Sequence, residues 1–162
     1  MATPRRRRQA DVWRSLFRIG LGVYWLYFAA QKWPAPLGIA PHGIEWMRPL
    51  IVQAAQVNPV PGLHELLQQL VVPSWQFFAV LQAAGETAVG VLLILGLATR
   101  PAALVATLLA INLSLTVAFT VGDVGVRWLY YLPVLASFEV FVNGSGPLAL
   151  DRAGWVPGWL RS

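Results

Sequence analysis

The chain has 162 residues, of which 57% are hydrophobic and only 12% charged, with a net charge of +5. A soluble domain usually carries about 25% charged residues, so this composition excludes an ordinary soluble protein and indicates a one-domain, multi-span membrane protein. The absence of cysteine excludes structural disulfides, CxxC redox chemistry and thiolate metal sites; two histidines far apart, with no HExxH pattern, give no basis for a metal site.

The N-terminus reads MATPRRRR. No small-residue cleavage site follows the arginines and the apolar stretch continues to Trp33, so a retained helix is expected rather than a signal peptide. The arginine run acts as a topology signal holding the N-terminus in the cytoplasm. With no basic domain behind it, it does not indicate nucleic-acid binding. The first span is expected over residues 15–33. Asp11, Arg18, Trp25 and Lys32 recur every seven residues and share one helix face, with Gly22 and Ala29 between them. Lys32 and Trp33 fall at the outer boundary, where snorkelling and aromatic anchoring are expected, and Pro34 and Pro36 end the helix.

Residues 34–74 form a long insert on the outer side. Ile44, Met47, Leu50, Ile51, Ala54 and Val57 line one side of a helical pattern over 44–57, with Glu45, Arg48, Gln53 and Gln56 on the other. After Asn58-Pro59-Val60-Pro61 the pattern resumes over 63–72. Both pieces are too short and too polar to span, so two amphipathic helices lying on the outer face of the bundle are expected. A structural cap is preferred to a catalytic lid, and His42 and His64 are read as interfacial polar residues rather than ligands.

The second span, 75–97, follows Pro73-Ser74, with Ser74 a candidate N-cap. Its 23 residues hold one ionisable side chain, Glu86, at the centre. Gln82 lies one turn away on the same face, and Ala79, Ala83 and Gly90 let a neighbouring helix approach. A turn at 98–101 places Pro101 at the first position of the third span, 102–121. Asn112 in that span lies at about the depth of Glu86, counting about 1.5 Å per residue, with Thr116 one turn on. A short outer loop, 122–127, leads to a fourth and shortest span, 128–143, which contains Pro133. Glu139 there is similar in depth to Arg18. The tail, 144–162, carries Trp155 and Trp159, expected to rest on the cytoplasmic headgroup surface. Arg5 to Arg8, Arg14, Arg18, Arg100, Arg152 and Arg161 fall inside and Lys32, Arg48 and Arg127 outside, so a multi-pass protein of the inner (plasma) membrane with both termini cytoplasmic is expected.

An ionisable group at mid-membrane is functional by default. Glu86 is therefore the candidate catalytic residue, as a proton acceptor or a partner for a quinone or other small polar head group. Burial in an apolar bundle favours its protonated form, which suits a proton carrier. The competing structural reading is an interhelical hydrogen bond that fixes packing. Gln82, Asn112, Trp25 and Lys32 complete the set of candidate ligand-binding residues. Arg18 and Glu139 are expected to form a structural ion pair near the inner face. No haem pair, phosphate loop or nucleophile triad is present.

The segment GETAVGVLLILGLATRPAALVATLLAINLSL, with its Gly-Leu-x-Thr-Arg turn, resembles the second and third helices of the DoxX-like and related DoxD-like membrane proteins. Arg18-Ile19-Gly20 with Gln31-Lys32-Trp33 resembles their first helix, and Asn143-Gly144-Ser145-Gly146-Pro147 followed by Leu150-Asp151 their Gly-rich, Leu-Asp ending. The resemblance covers all four helices; the insert 34–74 is less typical. It implies an all-α, four-transmembrane-helix bundle. It also implies a membrane subunit of a redox complex, because relatives include a subunit of thiosulfate:quinone oxidoreductase and membrane partners of redox-defence complexes. The cysteines of some redox-linked relatives are absent here. A quinone is the candidate cofactor, with no covalent group; the lipid bilayer and other subunits, or further copies of the chain, are the expected partners, and nucleic acid is not. A small channel or carrier running past Glu86 and a non-catalytic scaffold for a soluble partner are the alternatives. A cavity reaching Glu86 from the lipid side favours a quinone, one open to water favours transport, and none favours a scaffold.

Overall fold

The computed structural model describes residues 4–41 and 43–152 and is all-α over them. Six α-helices follow in chain order: α1 Pro4–Ala30, α2 Met47–Val57, α3 Leu63–Leu66, α4 Trp75–Leu95, α5 Thr99–Leu115 and α6 Val124–Asn143. The four long ones, α1, α4, α5 and α6, form the bundle. α4 packs between α1 and α5, and α5 packs on α6. Two stretches, Trp75–Leu95 and Thr99–Thr120, are long and apolar enough to cross a membrane. α1 and α6 are of comparable or greater length, at 27 and 20 residues, but carry more charged or polar side chains along them.

The face of α1 read from the seven-residue spacing is the buried one: Ser15, Arg18, Gly22, Trp25 and Ala29 all lie inside. At the crossing with α4, glycine meets glycine. A Cβ on Gly22 would stand 2.9 Å from the carbonyl oxygen of Gly90 and 2.9 Å from the nitrogen of Ile94, so only hydrogen lets the two backbones come this close. On α4 and α5 the small residues Ala79, Ala83, Ala102, Ala103, Ala106 and Ala110 are almost wholly buried, which lets neighbouring helices approach closely.

Several boundaries differ from those expected, each for a local reason. α1 stops at Ala30 rather than Trp33. Pro34 can neither donate to the Ala30 carbonyl nor let Trp33 stay helical, and that carbonyl accepts instead from the Ile39 amide at 2.8 Å. α5 begins at Thr99, not at 102. Its first amides are capped by a distant residue: the Asp151 carboxylate accepts from Ala98 N at 2.6 Å and Thr99 N at 3.0 Å. Pro101 then sits in the first turn, where no amide is needed. α5 breaks at Thr116, whose hydroxyl donates back to the Asn112 carbonyl at 2.6 Å, and a tight turn Val117–Thr120 follows. Ser74 occupies the N-cap position of α4 but its side chain makes no capping bond.

α6, expected to be the shortest of the four long helices, is longer than α5, at 20 residues against 17. It starts at Val124 because Asp123 accepts the Val126 amide at 3.0 Å, an N-cap within what was read as loop. Pro133 lies inside it. Proline has no amide to offer the carbonyl four residues back, and that carbonyl, Leu129 O, accepts from the Tyr24 hydroxyl of α1 at 3.1 Å. The neighbouring Tyr130 carbonyl accepts from Ser114 of α5 at 2.8 Å. Side chains from two helices thus satisfy the backbone around the proline, so the helix continues through it.

The insert holds the two amphipathic pieces expected of it, α2 and a helical arm from α3 through the wider turn Leu67–Val71. They pack beside α4 and the end of α5. Met47, Ala54, Ala55 and Leu67 are buried, while Leu66 and Leu70 remain exposed. Asn58 ties α2 down by donating to the Leu115 carbonyl at 2.8 Å.

Candidate functional site

Glu86 is fully buried in the middle of α4. A carboxylate there needs partners, and it has two. Lys32 Nζ donates to Oε2 at 2.7 Å and Gln82 Nε2 to Oε1 at 2.9 Å. Gln82 lies on the same face because it is one turn earlier in the helix. Its own oxygen accepts a longer bond, 3.4 Å, from Asn112 Nδ2 on α5. The result is a polar chain, Asn112–Gln82–Glu86–Lys32, that joins α5, α4 and the turn after α1.

The depth argument from sequence correctly joined Gln82, Glu86 and Asn112. The sequence groups Lys32 with them as a candidate ligand-binding residue but places it at the outer boundary, snorkelling outward, and the structure corrects that placement. Lys32 follows the end of α1 on a turn, and its side chain folds back inward, with its ammonium also donating to the Phe28 carbonyl at 3.1 Å. The 2.7 Å ion pair, with 7% and 0% of the two side chains exposed, outweighs the hydration Lys32 would gain at the surface. The signal was present: Lys32 shares the face of Arg18 and Trp25, and a lysine on a buried face needs a counter-charge. Two tryptophans bracket the turn. Trp33 Nε1 donates to Thr87 Oγ1 at 2.9 Å and Trp46 Nε1 to the Gln31 carbonyl at 2.8 Å.

Trp25 does not join this chain. It is 1% exposed in the core with Leu21, Val89 and Leu93, and its indole N–H has no acceptor among the described residues.

Arg18 and Glu139 are not paired. The Arg18 guanidinium is fully buried and turned to main-chain carbonyls: Nε donates to Ser145 at 3.0 Å and Nη1 to Ile94 at 3.1 Å, with further donation to Leu93 and Leu148. The acid that faces it is Asp151. Glu139 accepts instead from Asn143 on its own helix at 3.1 Å. Equal depth brings two side chains to one level, but not to one side of the bundle. Arg18 faces α4, and the residues after α6 fold back over it. Gly96 makes room, since a Cβ there would stand 2.6 Å from Nη1 and its φ is +64°. Arg18 and the segment 144–152 therefore clasp the end of the bundle opposite the insert.

A cavity of about 390 Å³ lies between the insert and the α4–α5 pair. Its walls are apolar: Met47, Ile51, Ala54, Leu63 and Leu67 from the insert, and Phe78, Leu81, Val105, Leu108 and Leu113 among those from the bundle. Gln82, Asn112 and Thr116 are the polar residues that line it, and no charged side chain does. The cavity thus meets the polar chain at the end away from Lys32. Among the described residues no group of three or more His, Cys, Asp or Glu is placed to hold a metal ion. His64 lies on the insert beside Gln68, 3.1 Å away; His42, Trp155 and Trp159 lie outside the described residues.

A protein-family model described as DoxX matches residues 14–120, which include the whole polar chain and every residue lining the cavity. No curated protein and no solved structure matches the chain.

Proposed function

The chain belongs to the DoxX family, and from that footing we propose that it is a membrane subunit of a quinone-linked redox complex, with the Lys32–Glu86 pair as its proton-exchanging centre. The observation that carries this reading is the buried ion pair at mid-bundle, joined through Gln82 to a cavity on the side of the helices. A quinone that accepts two electrons takes up two protons. The electrons come from a donor subunit, and the carboxyl group is the titratable member of the chain that can pass protons on. Lys32 and Gln82 hold the Glu86 carboxyl group in place, and Gln82 links the pair to the cavity.

In this reading the chain is a single domain over 1–162 that crosses the inner membrane four times, through α1, α4, α5 and α6, with both termini in the cytoplasm and the insert outside. The outer surface supports this. Phe17 and Val23 on α1, Phe77 on α4, Leu108 on α5, and Leu132 and Leu135 on α6 are each 46% exposed or more. Apolar surface spread over all four helices suits lipid and not water. A channel or carrier is disfavoured, because towards the Arg18 end the bundle is closed by Trp25, Val89 and Leu93, each no more than 2% exposed. A pure scaffold has no use for a mid-membrane charge pair. Donor subunits, or further copies of the chain, complete the complex.

The test is quinone reduction in membranes holding equal amounts of wild-type protein and Glu86→Gln. The substitution keeps the shape and a hydrogen bond with Gln82 but removes the titratable group. Turnover is expected to fall by about 10²-fold or more, the usual worth of a general acid–base group. Unchanged turnover across the pH range would favour the scaffold.

A further inference from the structure

We propose that the cavity between the insert and α4–α5 is a binding site for a single-chain amphiphile with a small, uncharged head, which enters sideways from the lipid and is held by Gln82 and Asn112. This deepens the reading above and rests on it only for the consequence of binding, not for the site.

The shape points to an amphiphile. About 390 Å³ falls in the range of small-molecule sites. Leu81 and Leu108, which line it, are also 55% and 57% exposed, so the wall runs without a break onto the lipid-facing side of α4 and α5. A chain lying against Ile51, Leu67 and Leu108 passes from the cavity into the bilayer without crossing water. The amphipathic insert thereby acquires a use for its apolar face: it roofs a slot that the long helices alone leave open.

The head follows from counting donors and acceptors. Each carboxamide has two N–H groups and one oxygen. Gln82 spends one N–H on Glu86 and its oxygen on Asn112; Asn112 spends one N–H on Gln82. One N–H remains on each, and the Asn112 oxygen has no partner among the described residues. The Thr116 hydroxyl donates to the main-chain carbonyl of Asn112 and so leaves the Asn112 side-chain oxygen open. Side by side in an apolar wall, these groups suit a carbonyl oxygen that accepts from both amides or a hydroxyl that donates to Asn112. No lysine, arginine or histidine lines the cavity, so a phosphate head would be desolvated there without compensation. A head seated at Gln82 is one hydrogen bond from Glu86, which links occupancy of the cavity to the ion pair.

The experiment measures equilibrium binding of a tritiated benzoquinone carrying a decyl chain to the full-length protein in nanodiscs. 1-Decanol and phosphatidylglycerol serve as competitors. Saturable binding of one ligand per chain is expected. Leu108→Trp and Ile51→Trp, which fill the cavity from opposite walls, should each weaken binding tenfold or more, as should Asn112→Leu. Leu108 is largely exposed, so its variant carries the test if Ile51→Trp does not insert. Glu86→Gln should bind within threefold of wild type, because Gln82 keeps an acceptor. Competition by decanol supports a chain-plus-neutral-head site that is not selective for a quinone ring. Equal competition by phosphatidylglycerol overturns the neutral head, and wild-type binding by both tryptophan variants overturns the site. Should Glu86→Gln alone abolish binding, the head reaches the pair by another route; the site falls and the proposed function stands. Should the cavity variants lose binding while Glu86→Gln leaves turnover of the complex intact, the site stands and the proposed function falls.

Discussion

Lys32→Met should be the most damaging conservative change in the bundle, and its cost should depend on pH. The substitution keeps the length of the stem and removes the ammonium 2.7 Å from Glu86 Oε2. At that distance the direct attraction is about 6 kcal/mol for an effective dielectric of about 20, most of it offset in the wild type by desolvation of two charges. The variant keeps the desolvation of Glu86, whose side chain is 0% exposed, and leaves Gln82 as its donor. Losing one partner of a buried pair costs about 3–5 kcal/mol. A ceiling exists, because the carboxylate can escape by taking a proton. For an ordinary glutamate, titrating near 4.3 in water, protonation at pH 7 costs about 3.7 kcal/mol, and at pH 5 about 1 kcal/mol. The penalty of Lys32→Met relative to wild type should therefore shrink by about 2–3 kcal/mol between pH 7 and pH 5. Glu86→Gln should cost less, because Lys32 sits on a turn beyond the end of α1 and can swing towards the surface. The double variant should be more stable than Lys32→Met alone, since a lone buried charge is worse than none. Reversible unfolding of the purified protein in mixed micelles, as a double-mutant cycle at both pH values, measures each quantity. Additive costs, or a Lys32→Met penalty equal at pH 5 and pH 7, would refute the view that the two residues form one charge-compensated unit.

Gly90→Ala places a Cβ 2.6 Å from Leu26 Cγ and 3.0 Å from the Gly22 carbonyl oxygen, so the α1–α4 crossing must open; a loss of about 1–3 kcal/mol is expected by the same unfolding assay, and a neutral effect would show that the helices slide apart freely. Asp151→Ala uncaps α5 at Ala98 and Thr99 and removes the acid that faces buried Arg18, so it should cost more than the about 1–2 kcal/mol of a lost cap alone, with faster hydrogen exchange at those two amides, whereas Glu139→Gln should change stability by no more than about 0.5 kcal/mol. In the insert, hydrogen bonds from its own amide and that of Gly62 hold the Glu65 carboxyl below the usual carboxylate range. A lowered folded-state value stabilises the start of α3 at pH above the unfolded value and is lost as pH falls through the folded one, so the protection of the Gly62 amide, measured against its intrinsic exchange rate at each pH, should fall in acid for wild type and not for Glu65→Gln.

Much of this protein is legible along the chain, because helix geometry is a local property. Apolar composition, the seven-residue face of α1 and the glycine and alanine positions determine how many long helices form and which side of each turns inward. The same arithmetic sets Gln82, Glu86 and Asn112 at one height, and the structure joins them. What periodicity cannot supply is azimuth between helices distant in sequence. Arg18 and Glu139 share a depth yet face different neighbours, while Lys32, read as a surface anchor, bends back to Glu86 because Pro34 ends α1 early and a buried carboxylate lies within reach. Helix ends divide in the same way. Asp123 is a local cap, visible in the sequence once α6 is allowed to begin before Trp128. The cap of α5 comes from Asp151, 52 residues from Thr99, and the carbonyl left free by Pro133 is taken by Tyr24 from another helix. The cavity is wholly tertiary, since it exists only where the insert folds down beside α4 and α5. Backbone propensity and hydrophobic period are written residue by residue, but the pairing of buried polar groups is chosen among all the surfaces that the folded chain brings together.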